Sequence, residues 1–258
     1  MSTILFHVEN HIAFILLNRP DKLNSFNKEM ALLLQNRLDE CAASPQIRCV
    51  YITGAGKGFC AGQDLAEVVS PDGPGMQKIL SEQYNPVIAR IRNISKPVVA
   101  AVNGVAAGAG ANIALACDIV VASEQASFIQ AFSKIGLIPD SGGTYTLPRL
   151  IGLQKASALM MLGDKISATE AMHMGMLYKI FSNESFEQES KKIAATLAQM
   201  PTKALGYIKA ALNASFKNTI EQQLQLEDIL QQQAAATEDF TEGVNAFLEK
   251  RMPNFKGQ

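Results

Sequence analysis

The stretch that most restricts this chain is AVNGVAAGAGANIALACDIVVAS, from Ala101 to Ser123. It leaves an apolar β-branched run (Val98 to Val102) and passes the turn pair Asn103-Gly104. It then runs through Gly108-Ala109-Gly110-Ala111 into an apolar helical segment that ends at Asp118, before a second β-branched run. The order is strand, tight loop, helix N-terminus, strand. Residues this small let a ligand approach main-chain N–H groups, and a first helical turn holds donors with no intrahelical partner. Such a turn suits negative charge. The same composition also serves close packing of a helix on a sheet, so the run alone leaves both readings open. A second glycine turn, Gly54-Ala55-Gly56-Lys57, follows the apolar strand Cys49 to Thr53 and leads into Gly58-Phe59-Cys60-Ala61-Gly62-Gln63-Asp64-Leu65. Two such turns, each after a buried strand, can aim two peptide N–H groups at one acceptor, which is the form of an oxyanion hole.

The rest of the chain supplies strands and helices around these turns. Ile4 to Val8 and Ile12 to Leu17 flank Glu9-Asn10-His11 and predict a hairpin, a polar Pro-containing loop covers Asn18 to Ser25, and a helix is expected from Asn27 to about Ala43. Ser70 to Gly75, with two prolines and two glycines, reads as a surface loop or a flap. Met76 to Asn93 has helical spacing that Pro86 is expected to kink or divide. A short β-like run is expected at Leu177 to Phe181. Beyond Pro201, the segments Thr202 to Phe216, Thr219 to Ala235 and Thr237 to Arg251 form a helical appendage. Its glutamine-rich part is expected to bury Ile220, Leu224, Ile229 and Leu230. Repeated strand, turn and helix units imply an α/β core.

Composition excludes several functions. A net charge of −1 over 258 residues, without a dense Lys/Arg run, gives no field for a nucleic-acid backbone, so no nucleic-acid partner is expected. Cys41, Cys49, Cys60 and Cys117 lack CxxC spacing, so no metal site is expected and the thiols are expected to be reduced in a cytoplasmic interior. No apolar run approaches the length of a membrane span, and no membrane association is expected. GAGA at Gly108 lacks the GxGxxG spacing of a dinucleotide site.

LNRPDKLNSF (Leu17 to Phe26), GFCAGQDL (Gly58 to Leu65), KPVVAAVNGVAAGAGANIALACD (Lys96 to Asp118), GLIPDSGGT (Gly136 to Thr144) and FLEKRMPNFKG (Phe247 to Gly257) together make the chain resemble the crotonase (enoyl-CoA hydratase/isomerase) superfamily over nearly its full length. The resemblance implies an α/β fold: a crotonase-type spiral of ββα units over residues 1–200, and a C-terminal helical oligomerisation region over 201–258. It further implies an acyl-CoA thioester substrate, no cofactor beyond the coenzyme A that the substrate carries, and a homotrimer or dimer of trimers. The two peptide donors of the family map to Gln63 and Ala109. Lys22 and Leu23 would lie near the adenosine end of CoA, joined by Phe247 and Lys250 from a neighbouring subunit. Ala61, Asp64 and Leu65 would line the site, with Asp64 mainly structural.

The side chains around the hole select the chemistry. Where hydratases of the family place two glutamates, this chain has Asn112 and Phe132, and neither exchanges a proton near neutral pH. The remaining acid is Asp140. By itself an aspartate before Gly142-Gly143 reads as a helix N-cap; the resemblance instead implies the catalytic acid/base of isomerase members, which rearrange a ring-epoxide acyl-CoA or shift an acyl-CoA double bond. Asn112 would position Asp140 or a substrate group, or else bond the backbone, and Phe132 would shape an apolar pocket. The alternatives are an enoyl-CoA hydratase with an unusual acid, a hydrolytic dehalogenase with Asp140 as nucleophile, and a non-catalytic crotonase-like binding protein.

Overall fold

The β-branched runs become the strands of one central sheet. A computed structural model describes residues 2–69 and 75–258. Ten strands lie among the described residues: β1 (Ile4–Glu9), β2 (Ile12–Leu17), β3 (Cys49–Gly54), β4 (Gly58–Cys60), β5 (Val98–Val102), β6 (Val105–Ala107), β7 (Ile119–Ser123), β8 (Ser127–Ile129), β9 (Lys165–Ser167) and β10 (Lys179–Phe181). Six form a sheet in the order β1-β2-β3-β5-β7-β10, and four form a second in the order β4-β6-β8-β9. The first pair is the expected antiparallel hairpin, with Asn10 and His11 both at positive φ as a tight primed turn requires. From β2 to β10 the neighbours run parallel.

Both faces of the parallel strands are covered, which explains why they read as continuous apolar runs. Val50, Ile52, Val98, Ala100 and Val102 point into the main core, while Cys49, Tyr51, Val99, Ala101 and Val121 point to a second layer with Phe186 and Ala194 of the helix Asn183–Gln199. The alternation is the two-residue period of an extended chain. β3, β5 and β7 are each followed within a few residues by a strand of the second sheet. This repeat is the α/β spiral of ββα units, and it sets the Gly54–Lys57 and Asn103-Gly104 turns at the seam between the two sheets.

The helix Lys28–Ala43 is capped by Asn27, whose side chain accepts from the Met30 N–H. The segment expected as one Pro-disturbed helix is a short helix Gly75–Lys78, a π-helix Ile79–Tyr84 and a helix Asn85–Asn93. Pro86 falls in the first turn of the last piece, where a missing N–H breaks no bond, so the change of register precedes the proline. Of the flap expected at Ser70 to Gly75, residues 70–74 lie outside the described residues, and Gly75 opens a helix.

The C-terminal helices Thr202–Ser215, Ile220–Ala235 and Glu238–Glu249 follow the expected boundaries closely. The burial expected of the glutamine-rich helix is not found. Ile220, Leu224 and Ile229 are each more than half exposed, because only Thr202–Ser215 makes extensive contact with that helix. The region is nevertheless fastened to the core. The Lys209 ammonium, almost fully buried, donates to Asp118 at 2.7 Å and to the Ile91 and Lys96 carbonyls, while Asp118 also accepts from the Val98 N–H. Burial lowers the Lys209 pKa and raises that of Asp118, and the pair offsets this by mutual attraction. Arg48 bonds Thr202 and the Met200 and Phe255 carbonyls, and the Asp239 carboxylate takes the Lys256 and Gly257 N–H groups. None of the described helices is long and apolar enough to cross a membrane.

Lys209→Met keeps the stem but leaves the Asp118 carboxylate without its cation. The expected loss is about 3–5 kcal/mol of stability, measured as a lower urea midpoint, with amide exchange rising first in Thr202–Ser215.

Candidate active site

The Gly62-Gln63 turn that follows β4 meets the start of the helix Ala109–Ala116, which follows β6. Gly108, at its N-cap, has φ 52° and ψ −127°, a conformation in effect open only to glycine. Below it the packing leaves no room for a methyl group. A Cβ on Gly110 would lie 2.3 Å from the Cys60 carbonyl oxygen and 2.6 Å from its Sγ. A Cβ on Gly62 would lie 3.0 Å from the Ala107 oxygen and 3.6 Å from the Ala109 nitrogen. Gly62 itself is at φ 92°. The turn that carries Gln63 therefore lies directly against the first turn of the helix.

The direction of the Gln63 amide follows from its pairing. Phe26 bridges this residue in parallel fashion, donating its N–H to the Gly62 carbonyl at 2.7 Å and accepting the Asp64 N–H at 2.8 Å. In such a bridge the N–H of the middle residue points away from the partner. The Gln63 N–H thus turns from Phe26 and, among the described residues, has no acceptor; the same holds for the Ala109 N–H. A negatively charged oxygen placed between the turns would meet two amides and the positive end of a helix.

A polar brace holds the Gln63 turn. Asp64 caps the short helix Leu65–Val68 through the Ala66 N–H and forms an ion pair with Arg19 at 2.8 Å. That Arg19 bond holds its carboxyl below the usual carboxylate range, so Asp64 is committed to structure. Leu23 is partly exposed, with φ 47°, and its carbonyl receives the Ala61 N–H at 2.9 Å. Lys22 is exposed beside it, and Leu65 is half exposed at the start of its helix. Asn24, fully buried, is a residue that sequence reasoning missed. Its amide donates to the Ala55 and Gly58 carbonyls and accepts the Arg19 N–H, tying the 18–25 loop to the first glycine turn. Its position inside the quoted LNRPDKLNSF motif was the available signal. The Cys60 thiol, pushed up to about 12 by burial, accepts from the Gly62 N–H and supports the same turn as a packed group.

The acid arrives from the opposite side. Asn112 lies three residues after Ala109 and so on the same helical face. Its Nδ2 donates to the Asp140 carbonyl at 2.9 Å, and its Oδ1 accepts from Gln130 at 2.8 Å. A Cβ on Gly143 would lie 2.3 Å from that Nδ2, so the Asp140 loop rests on Asn112 without a gap. Asp140 does not cap the next helix. Gly142 takes that place with no side-chain bond, and Ser141 and Gly142 both turn through the left-handed region. Burial raises the Asp140 pKa above the usual carboxylate value, partly opposed by the Ser141 hydroxyl that donates to its Oδ1 at 2.9 Å. Phe132 is buried, its ring 3.7 Å from where a Gly108 Cβ would stand, so it walls the helix start.

The structure thus brings Gln63, Ala109, Asn112, Phe132 and Asp140 to one place, with Ala61, Asp64 and Leu65 on the supporting turn and Lys22 and Leu23 at its margin. Phe247 and Lys250 stand apart. Phe247 is 83% exposed on the last helix and Lys250 ends that helix in the left-handed conformation. Two surface clefts also lie there, between Tyr207, Leu224 and Leu230 and between Phe240, Val244 and Phe247. Their walls are mainly apolar side chains, and neither is lined by Asp140, Gln63 or Ala109. Among the described residues no group of three His, Cys, Asp or Glu side chains is placed to hold a metal ion.

The spiral fold, with two amides left unpartnered where two turns abut, defines a class of protein. The chain belongs to the enoyl-CoA hydratase/isomerase family, whose profile matches residues 7–258. It is 47% identical over 261 residues, covering all of both chains, to the "1,2-epoxyphenylacetyl-CoA isomerase" of Escherichia coli. It is also 35% identical to the "2,3-dehydroadipyl-CoA hydratase" of the same organism, again over the whole of both. Among solved structures, an enoyl-CoA hydratase from Bacillus anthracis superposes with a TM-score of 0.93 at 33% identity, over 99% of this chain and 100% of that one.

Gly143→Ala drives a methyl group into the Asn112 amide. We expect a stability loss of about 1–3 kcal/mol from overpacking, measured by urea unfolding, together with loss of the Asn112 to Asp140 bond, read as a change in the Asn112 side-chain amide NMR signals.

Proposed function

We propose that the chain is an acyl-CoA isomerase that converts a ring-1,2-epoxyphenylacetyl thioester to its oxepin isomer, shifts the double bond of an enoyl-CoA, or does both. The observation that carries this reading is the pair of unpartnered N–H groups at Gln63 and Ala109, on abutting turns, with one half-buried acid whose loop is held by Asn112 of the same helical face. In the double-bond shift, the ionised Asp140 carboxylate takes a proton from the α-carbon. The electron pair moves onto the thioester oxygen, and the two amides hold the resulting enolate. The same carboxyl then returns the proton to the γ-carbon as the α,β double bond forms. One carboxylate suffices for transfer on a single face. Each amide is worth about 2.7–4 kcal/mol of barrier. The sequence calls for no cofactor beyond the thioester itself.

Hydration finds less support. Asn112 spends its amide on the Asp140 loop and on Gln130, and Phe132 is a buried wall, so neither of these two positions supplies a second acid to manage water. Lys22 and Leu23 are read as the CoA margin. The row of exposed apolar side chains at Ile220, Leu224, Phe247 and Leu248 supports assembly into a homotrimer or a dimer of trimers, in which Phe247 and Lys250 approach a neighbour's CoA. The four free, buried thiols suit a cytoplasmic setting.

Asp140→Asn should abolish solvent-deuterium incorporation and double-bond migration while acyl-CoA binding survives; unchanged turnover removes Asp140 from the mechanism. Because burial raises this carboxyl and catalysis needs its ionised form, kcat/KM should fall with falling pH through a limb above the ordinary carboxylate range. Light scattering should give a mass of three or six chains.

A further inference from the structure

Tyr84 is not used by the mechanism above. It ends the π-helix Ile79–Tyr84, is 1% exposed, and its hydroxyl has no hydrogen-bond partner among the described residues. Phenylalanine would fill nearly the same volume without a buried unpaired oxygen, so the hydroxyl calls for an explanation. π-Helical turns are uncommon and gather at functional sites. This one is propped by the Gln35 amide, which donates to the Glu82 and Gln83 carbonyls at 2.8 and 3.2 Å.

One ring contact and the packing of the next helical turn give the direction of the phenol. Its ring is tilted against Phe26 with centroids 5.9 Å apart, and Phe26 is the residue that orients the Gln63 amide. Ile88, one helical turn further on the same side, has its Cγ2 3.7 Å from where a Gly142 Cβ would stand, two residues from Asp140. Burial first, and then the ionisable groups Cys60, Asp140, Glu67 and Asp64 of the Gln63 turn, the short helix after it and the acid loop, raise the hydroxyl well above the ordinary phenol range. The phenol therefore sits between the turn and the acid. Burial and these neighbours hold it protonated, so it has one O–H to donate.

We propose that the Tyr84 hydroxyl is a specificity-determining donor that meets an oxygen carried on the acyl group of the substrate, such as the oxygen of a ring epoxide. Resting on the acyl-CoA isomerase reading, this says which acyl-CoA the site prefers: one with an oxygen near the ring or chain carbons that face Asp140. A plain hydrocarbon acyl group leaves the donor unpaired, and a site built to bond a polar group discriminates against the analogue that lacks it.

The test uses two non-isomerising thioesters that differ by one oxygen, phenylacetyl-CoA and 2-hydroxyphenylacetyl-CoA, titrated by calorimetry into the full-length protein and into Tyr84→Phe. The wild type should bind the hydroxylated ligand more tightly. The substitution should weaken that ligand about ten-fold, leave phenylacetyl-CoA within about two-fold, and so remove the preference. Tyr84→Phe should melt no lower than wild type, since it removes an unpaired buried oxygen. Equal affinity of the wild type for the two ligands overturns the proposal, as does an equal change in both on substitution. A shift of the acid limb of the wild-type kcat/KM profile in Tyr84→Phe with a β,γ-enoyl-CoA, which carries no acyl oxygen, would assign the phenol to Asp140 and also overturn it. If neither thioester binds the wild type, the acyl-CoA reading itself has failed and this inference falls with it.

Discussion

The structure depends on how closely two backbone segments approach each other. The Gln63 turn and the first turn of the Ala109 helix touch with no side chain between them, since a Cβ at Gly110 would overlap Cys60 and one at Gly62 would press on Ala107. Only that approach brings the unpartnered amides of two different ββα units side by side. The sheet beneath makes it possible. β3 and β5 are hydrogen-bonded neighbours in one layer, β4 and β6 in the other, so the turns that leave them lie side by side.

The side chains around the turns act as braces. Asp64 is drawn to Arg19, Asn24 stitches the 18–25 loop to the first glycine turn, and Asn112 holds the Asp140 carbonyl while Gln130 holds Asn112. These buried polar groups act as one network, in which each member fixes the next. The consequence for Asp140 is electrostatic. A loop fastened by its backbone keeps the carboxyl in a partly dry setting, where burial favours the neutral form and makes the ionised form a stronger base.

Much of the fold was legible from periodicity. The hairpin, the parallel strands and the three C-terminal helices carry long enough apolar patterns to fall nearly where expected. β4, β6 and β9 were not legible, because three residues show no period and the first two contain glycine or alanine that pairs only when the neighbouring strand is present. The π-helical turn was hidden for a related reason: its register depends on the Gln35 amide arriving from another helix. The stripe Ile220, Leu224 and Ile229 misled because periodicity marks an apolar face without saying what covers it.

The site divides in the same way. Sequence by itself determined which residue types are present: glycines that let backbones meet, one acid after the GLIP motif, and no glutamates where a hydratase of the family has them. It left open whether Asp140 caps a helix or faces a substrate, and whether Asn112 holds the acid or the backbone. The tertiary structure narrowed both. Gly142, not Asp140, stands at the cap of the next helix, and Asn112 reaches the carbonyl of the acid's own residue. The physical reason is that residue type is local, whereas the direction of a carboxyl or an amide is set by packing against chain that lies far away in sequence.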